Sequence, residues 1–100
     1  MIYHKFHARP TTYHGKKYHS KKEARYAASL DLLIKASDVL FYLEQVPFKL
    51  PGNTKYVVDF VVFYSVGTVE FVDVKGVRTP TYIMKKKQVE DLYPITIKEV

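Results

Sequence analysis

The feature that most constrains the fold is a run of nearly continuous apolar residues from Tyr56 to Tyr64. The run is rich in β-branched and aromatic residues, which favour the pleated surface of a β-sheet. An apolar run without alternation predicts a strand that is covered on both faces. Asp59 is the one charged residue in the run. Because an unpaired buried carboxylate is costly, its presence there needs a physical explanation.

The turn after this strand predicts a partner for Asp59. Residues 65–67 form a three-residue hairpin loop with Gly67 in the left-handed conformation, and Val69–Lys75 returns as the paired strand. In that register Asp59 lies directly opposite Asp73, with Cβ atoms roughly 4.5–5.5 Å apart. Two carboxylates that close repel each other unless a cation or a shared proton lies between them. The alternatives for Asp59 are a partly exposed strand end or a buried ion pair.

Two further residues extend this pair towards a chemical site. Lys75 lies two residues beyond Asp73, so both side chains lie on one face of the strand. Two acids and a lysine on one face can hold a divalent cation and a phosphate together, although Asp-x-Lys alone is common by chance. Glu23 begins the apolar stripe of the first helix and therefore points towards the sheet. Its alternative role is to close a capping box with Ser20, and the two roles are compatible.

The remaining sequence predicts an α/β sandwich with a central mixed sheet. The order is helix, three strands, helix, strand, in a single domain over residues 1–100, of which residues 1–12 form a basic, flexible arm. The first predicted elements are a hairpin over residues 12–18 that turns at Gly15, a helix from about Lys21 to Ala36 with Ser20 as its N-cap, and a strand from Val39 to Leu50. The hairpin described above follows. A second helix then begins at Thr79-Pro80 and ends by Pro94, and a last strand runs from Ile95 to Val100.

The composition restricts the function classes. Sixteen Lys and Arg against ten Asp and Glu give a net charge of +6, and residues 1–25 hold seven of the basic residues but one acid. This uneven distribution predicts a surface that meets a polyanion such as nucleic acid.

The absence of Cys excludes thiolate chemistry and favours the reducing cytoplasm. No apolar run approaches the roughly 18 residues of a membrane span. His4 and His7 have the spacing of half a zinc site, but no Cys or second pair completes it.

The acid, acid, Asp-x-Lys arrangement resembles the PD-(D/E)XK nuclease superfamily. Val58 stands before the first Asp, where the motif has Pro. A closer likeness, from about Tyr18 onward, is to short phage nucleases near the phage Holliday-junction-resolving endonucleases. The residues that carry this likeness are Ser20–Arg25, Leu43–Phe48, Asp59-Phe60, Asp73–Thr79, Tyr82 and Lys85.

The resemblance implies a restriction-endonuclease-like α-β-β-β-α-β core and a Mg²⁺-dependent DNA endonuclease. It implies that Glu23, Asp59, Asp73 and Lys75 are catalytic, and that the three acids, with the Val74 carbonyl, bind Mg²⁺, for which Mn²⁺ can substitute. The implied substrate is branched DNA such as a Holliday junction, in phage recombination or DNA processing. The implied products are a 5′-phosphate and a 3′-hydroxyl. A homodimer in the cytoplasm, that of the host for a phage protein, is also implied.

Basic residues near the starts of both helices are the candidates for DNA binding, and backbone contacts of this kind recognise shape rather than sequence. The candidates are Lys16, Lys17, Lys21, Lys22, Arg25, Arg78, Lys85 and Lys86. A solvated surface is the alternative for each run.

Gln45 is either an ordinary sheet-surface residue, which we favour, or a contact to the site. The alternative functions are a non-catalytic nucleic-acid-binding module, a nuclease acting on plain duplex or single-stranded DNA, and a structural phage protein.

Overall fold

A computed structural model describes residues 10–100 of the chain, so most of the predicted arm and the His4 and His7 pair lie outside the described residues. Two helices and a mixed sheet form one α/β domain, and the order helix, three strands, helix, strand is confirmed, preceded by a small hairpin. The elements are β1 (Thr11–Tyr13), β2 (Lys16–Tyr18), α1 (Lys21–Lys35), β3 (Val39–Leu50), β4 (Thr54–Tyr64), β5 (Val69–Asp73), α2 (Pro80–Leu92) and β6 (Ile97–Glu99).

The first hairpin pairs β1 with β2 and turns at His14 and Gly15. Both turn residues have positive φ, at 50° and 75°, and glycine takes this conformation at no steric cost. Thr11 and Thr12 pair with Tyr18 and Lys17, so the hairpin predicted over residues 12–18 is confirmed, and the last two residues of the predicted arm belong to its first strand. The difference arises because their backbone groups find hydrogen-bonding partners in β2.

The four-stranded sheet has the order β3-β4-β5-β6, with antiparallel pairs except for β6, which runs parallel to β5. The predicted register of the central hairpin is confirmed, because Phe60 pairs with Val72 and the same register continues to the turn. Gly67 has φ 97°, and the Tyr64 N–H donates to the Thr68 carbonyl at 2.9 Å, which closes a three-residue loop. The loop chemistry therefore fixes which residues of β4 and β5 face each other.

The central strand β4 is covered on both faces, as its apolar run predicts. Residues 58–62 are five successive buried positions. Phe60 belongs to a buried cluster with Ala27 and Leu30 of α1, whereas Val61 belongs to a second cluster with Val89 of α2. Because successive side chains of a strand point to opposite faces, each helix covers a different face of the sheet.

Both helices begin where the sequence predicts. The Ser20 hydroxyl accepts a hydrogen bond from the Glu23 N–H at 3.2 Å, and the Thr79 hydroxyl accepts one from the Tyr82 N–H at 3.1 Å. Each cap satisfies one of the unpaired N–H groups in the first turn of its helix. Within residues 10–100, neither helix combines the length and the apolar character needed to cross a bilayer.

Candidate active site

The two opposed carboxylates lie where β4 and β5 separate. The regular pairing ends at Phe60 and Val72, one position before Asp59 and Asp73. Beyond it, the Asp59 N–H donates to Asp73 Oδ1 at 3.1 Å, and the Val74 N–H donates to Asp59 Oδ2 at 2.9 Å. The side chains thus accept the hydrogen bonds that carbonyls would accept in a continuous ladder. This exchange explains why β5 ends at Asp73 rather than at Lys75, where the sequence predicts its end.

Two more side chains complete the environment of these carboxylates. The Tyr56 hydroxyl donates a short hydrogen bond to Asp73 Oδ2, and Gln45 Nε2 donates to Asp59 Oδ1 at 3.2 Å. Gln45 is exposed on the sheet, as the favoured interpretation expects, but its side chain also contacts Asp59, which is the alternative that we did not favour. Its φ of 52° is unusual for a non-glycine residue within a strand and typical of strain at functional sites.

Because both carboxylates are buried, water screens the repulsion between their negative charges only weakly. Asp59 and Asp73 are 3% and 1% exposed. Burial, and then the charge of Asp59, raise the pKa of Asp73, against the smaller lowering effects of the Tyr56 hydrogen bond and the Lys75 charge. Burial and the charge of Asp73 also raise the pKa of Tyr56, so its hydroxyl remains a donor. A cation bound beside both carboxylates would offset their repulsion.

Lys75 is held against an aromatic ring of α2. Its Nζ lies 3.8 Å from the centroid of the Tyr82 ring, within the range of a cation–π interaction. The Tyr82 hydroxyl donates to Glu99 Oε2 at 2.6 Å, which fixes the ring from its far end. The Tyr82 and Tyr56 rings lie 6.2 Å apart, so Lys75 and Asp73 share one aromatic environment.

Glu23 is buried at the first turn of α1. It is 1% exposed, and its Oε2 lies 3.8 Å from His19 Nδ1. The neighbouring Lys22 donates to the Lys75 carbonyl at 2.9 Å, which brings this turn of α1 to the segment that follows Asp73. Burial of Glu23 with the apolar stripe agrees with the predicted orientation. Within residues 10–100, no three His, Cys, Asp or Glu side chains form a group that could hold a metal ion.

The donor chemistry of the Asp59 and Asp73 pair nevertheless fits Mg²⁺. This ion prefers oxygen ligands and is usually held by one or two carboxylates, with water and substrate phosphate completing the octahedron. Each carboxylate oxygen accepts one of the hydrogen bonds described above, and a carboxylate oxygen has two lone pairs with which it can accept. Carboxylate oxygens are hard ligands, which suit Mg²⁺ better than the softer ions that thiolate and imidazole groups favour.

The structure divides the basic candidates into two groups. Lys17, Lys21 and Arg25 are exposed along β2 and the first turns of α1, where they can meet a phosphate backbone. The other candidates contact protein groups or are half-buried. Lys16 pairs with Glu44 at 2.6 Å, Lys22 donates to the Lys75 carbonyl, and Arg78 pairs with Glu99 at 3.3 Å, although all three remain exposed. Lys85 and Lys86 are half-buried, and Lys86 lies 3.7 Å from Glu99.

The sequence interpretation missed two residues of this region and did not favour a role for a third. Tyr56 was assigned only to the apolar strand, and Glu99 only to the closing strand. The signal for Tyr56 is its hydroxyl, because a buried tyrosine usually finds a polar partner. The signal for Glu99 is a carboxylate in a strand of otherwise apolar inward residues. Gln45 was considered, but its strained backbone is not visible in the sequence.

The fold and site define an α/β domain with a buried pair of aspartates, a lysine and a basic first helix turn. Residues 3–98 match the family model described as "Protein of unknown function (DUF1064)", and the chain belongs to this family. A search of curated proteins finds no match.

Proposed function

We propose that this protein is a Mg²⁺-dependent DNA endonuclease that hydrolyses phosphodiester bonds in branched DNA, in the manner of a Holliday junction resolvase. The observation that carries the proposal is the buried Asp59 and Asp73 pair, whose carboxylates are held at the divergence of two strands beside Lys75. The resemblance of the same residues to the PD-(D/E)XK motif supports it. The proposed setting is phage DNA recombination or processing in the cytoplasm.

A purely structural role explains the carboxylate pair poorly. Apolar residues of similar volume usually stabilise a core at least as well as buried charges. Here two like charges are buried together, and the pKa of Asp73 is raised by burial and by Asp59. Ionisable groups with shifted pKa values of this origin are concentrated at functional sites. A cation-binding role gives the pair a physical purpose that the apolar alternative lacks.

The residues divide the work of the proposed reaction between them. Asp59 and Asp73 would hold Mg²⁺, with Mn²⁺ as a substitute, and the resemblance to the PD-(D/E)XK motif adds Glu23 and the Val74 carbonyl as ligands. The chemistry that a bound ion would supply is polarisation of the scissile phosphate and a lower pKa for a water beside it. The Lys75 ammonium stabilises the negative charge that develops on the phosphate or positions the attacking water. In-line attack of the water on the scissile phosphate leaves a 5′-phosphate and a 3′-hydroxyl.

Three groups of the chain recognise and orient the DNA backbone in this proposal. Lys17, Lys21 and Arg25 are exposed beside the N-terminus of α1, where the helix dipole also favours phosphate. Contacts of this kind recognise the path of the backbone rather than the base sequence, which suits a structure-selective enzyme.

We also propose that the protein acts as a homodimer. An apolar strip on the face of the sheet that carries α2 supports this: Phe41 stacks on Phe63 with ring centroids 4.4 Å apart, and Phe41, Leu43 and Val69 are 47%, 46% and 42% exposed. Cross-strand pairing places Phe41, Phe63 and Val69 side by side on one face. A second copy covering the same strip would remove this apolar area from water.

The proposal is tested with labelled four-way junction, duplex and single-stranded DNA in the presence of Mg²⁺. We expect the wild type to cleave the junction fastest and Asp73→Asn to be inactive. Asp91→Asn removes an exposed acid outside the site and serves as the matched control. Absence of cleavage of every substrate by the wild type, together with DNA binding, would indicate a non-catalytic binding module. Equal cleavage of junction and duplex would retain a nuclease but remove the preference for branched DNA.

A further inference from the structure

One carboxylate oxygen of Glu99 lies close to three polar or charged groups beside the candidate active site. Glu99 Oε2 accepts a hydrogen bond from the Tyr82 hydroxyl at 2.6 Å. The same oxygen lies 3.3 Å from Arg78 Nε and 3.7 Å from Lys86 Nζ. The donors come from the loop before α2 and from two successive turns of the helix, so three parts of the fold converge on one atom.

The charges in this cluster do not balance. Arg78 and Lys86 each carry a positive charge against the single negative charge of Glu99, and Lys75 is close enough to act on the same carboxylate. The Tyr82 hydrogen bond, followed by the charges of Lys86, Arg78 and Lys75, lowers the pKa of Glu99 despite an opposing effect of burial. The cluster can therefore accept more negative charge than Glu99 supplies.

The cluster is next to the proposed catalytic centre. Glu99 of β6 is the register partner of Asp73 of β5, and neighbouring strands lie about 4.8 Å apart. The Lys75 N–H donates to the Val100 carbonyl at 3.1 Å, which ties the two strands together beyond that pair. The Tyr82 ring, which contacts Lys75 on its face, presents its hydroxyl to Glu99.

We propose that Arg78, Lys86 and the Tyr82 hydroxyl form a binding subsite for a DNA phosphate next to the scissile one, and that Glu99 occupies this subsite until the DNA displaces it. This inference rests on the proposed function, because it takes DNA as the substrate. A phosphodiester carries one negative charge, as the carboxylate does, and can form ion pairs and hydrogen bonds with the same guanidinium, ammonium and hydroxyl groups.

The exposure of the donors is consistent with such an exchange. The Arg78 side chain is 53% exposed, and Glu99 and Lys86 are 26% and 20% exposed. An incoming phosphate can therefore reach the donors from solvent. Two possible roles of Glu99 predict opposite effects of its removal on DNA affinity. If Glu99 competes with the DNA phosphate for the donors, its removal should strengthen DNA binding. If Glu99 only holds Arg78 and Lys86 in position for the DNA, its removal should weaken DNA binding.

The experiment measures the affinity for a labelled four-way junction by fluorescence anisotropy in EDTA, so that no cleavage occurs. We expect Glu99→Gln to bind about tenfold more tightly than the wild type. Glu70→Gln is the matched control, because it neutralises another sheet carboxylate that pairs with a lysine, Lys98 at 3.4 Å. It should have a much smaller effect. Equal tightening by the two variants, or weaker binding by Glu99→Gln, would overturn the subsite.

A second variant keeps the test decisive if Glu99→Gln does not fold. Arg78→Gln changes an exposed side chain and should weaken binding. It should also reduce the slope of log affinity against log salt by about 1, the contribution of one phosphate contact. An unchanged salt slope would contradict the subsite. Cleavage by the wild type with unaltered affinities would overturn the subsite alone, whereas the expected affinities without Mg²⁺-dependent cleavage would overturn the nuclease proposal alone.

Discussion

Replacement of Tyr56 by Phe removes one hydroxyl group from the core and leaves Asp73 Oδ2 without its donor. Tyr56 and Asp73 are 4% and 1% exposed, so water does not readily take the place of the hydroxyl. A hydrogen bond to an ionised group contributes about 1.5–3 kcal/mol, and a buried unsatisfied charge is costly. We therefore expect Tyr56→Phe to lower the free energy of unfolding by about 2–3 kcal/mol at pH 7, or Tm by roughly 10–20 °C.

The pH dependence of this loss identifies its cause. The Tyr56 hydrogen bond lowers the pKa of Asp73, so it stabilises the ionised carboxylate more than the protonated one. The stability difference between wild type and Tyr56→Phe is therefore full above the pKa of Asp73 and shrinks as the pH falls through it. Urea denaturation at a series of pH values measures this difference directly.

A matched tyrosine provides the control. The Tyr42 hydroxyl donates to Asp31 Oδ1 at 2.8 Å, a half-buried carboxylate that also accepts from Tyr13. Tyr42→Phe should therefore cost about 1 kcal/mol or less. The reasoning would be refuted if Tyr56→Phe cost no more than Tyr42→Phe at pH 7, or if its cost did not decrease at acidic pH.

Three further predictions follow from the same region and from the apolar strip. Asp73→Asn should raise the free energy of unfolding at pH 7, because burial and Asp59 raise the pKa of Asp73, and this gain should disappear as the pH falls below the ordinary aspartate pKa of 3.8; urea denaturation that shows destabilisation at pH 7 would contradict this. Mg²⁺ at ten times its Kd should stabilise the wild type by about 1.4 kcal/mol and leave the melting of Asp73→Asn unchanged. Phe41→Lys should convert a dimer to a monomer in sedimentation velocity, and the same mass for both proteins would exclude the strip as the interface.

The sequence predicts those parts of the fold and site that local chemistry determines. The caps at Ser20 and Thr79 depend on one side chain and the next helical turn. The opposition of Asp59 and Asp73 depends on the three-residue loop, because the side-chain period of a strand leaves one register once the turn is fixed. These predictions required no information about the rest of the molecule.

Contacts between distant segments could not be predicted in the same way. The positive charge of Lys16 is evident from the sequence, but the identity of its partner is not. Glu44 belongs to a different sheet, and the two side chains meet only because the first hairpin packs against the rest of the domain. The Tyr56 hydroxyl reaches Asp73 only because β4 and β5 diverge at that point. Glu99 gathers Arg78 and Lys86 through the parallel pairing of β6, which the turn signals do not specify.

The central claim is that Asp59, Asp73 and Lys75 form a Mg²⁺-dependent hydrolytic centre. The most direct measurement is the single-turnover cleavage rate of a labelled four-way junction as a function of Mg²⁺ concentration, for the wild type and Lys75→Met. We predict that wild-type cleavage depends on Mg²⁺ and saturates with it, and that Lys75→Met cleaves at least about 100-fold more slowly at saturation. Cleavage that persists in EDTA, or an unchanged rate in Lys75→Met, would contradict the account.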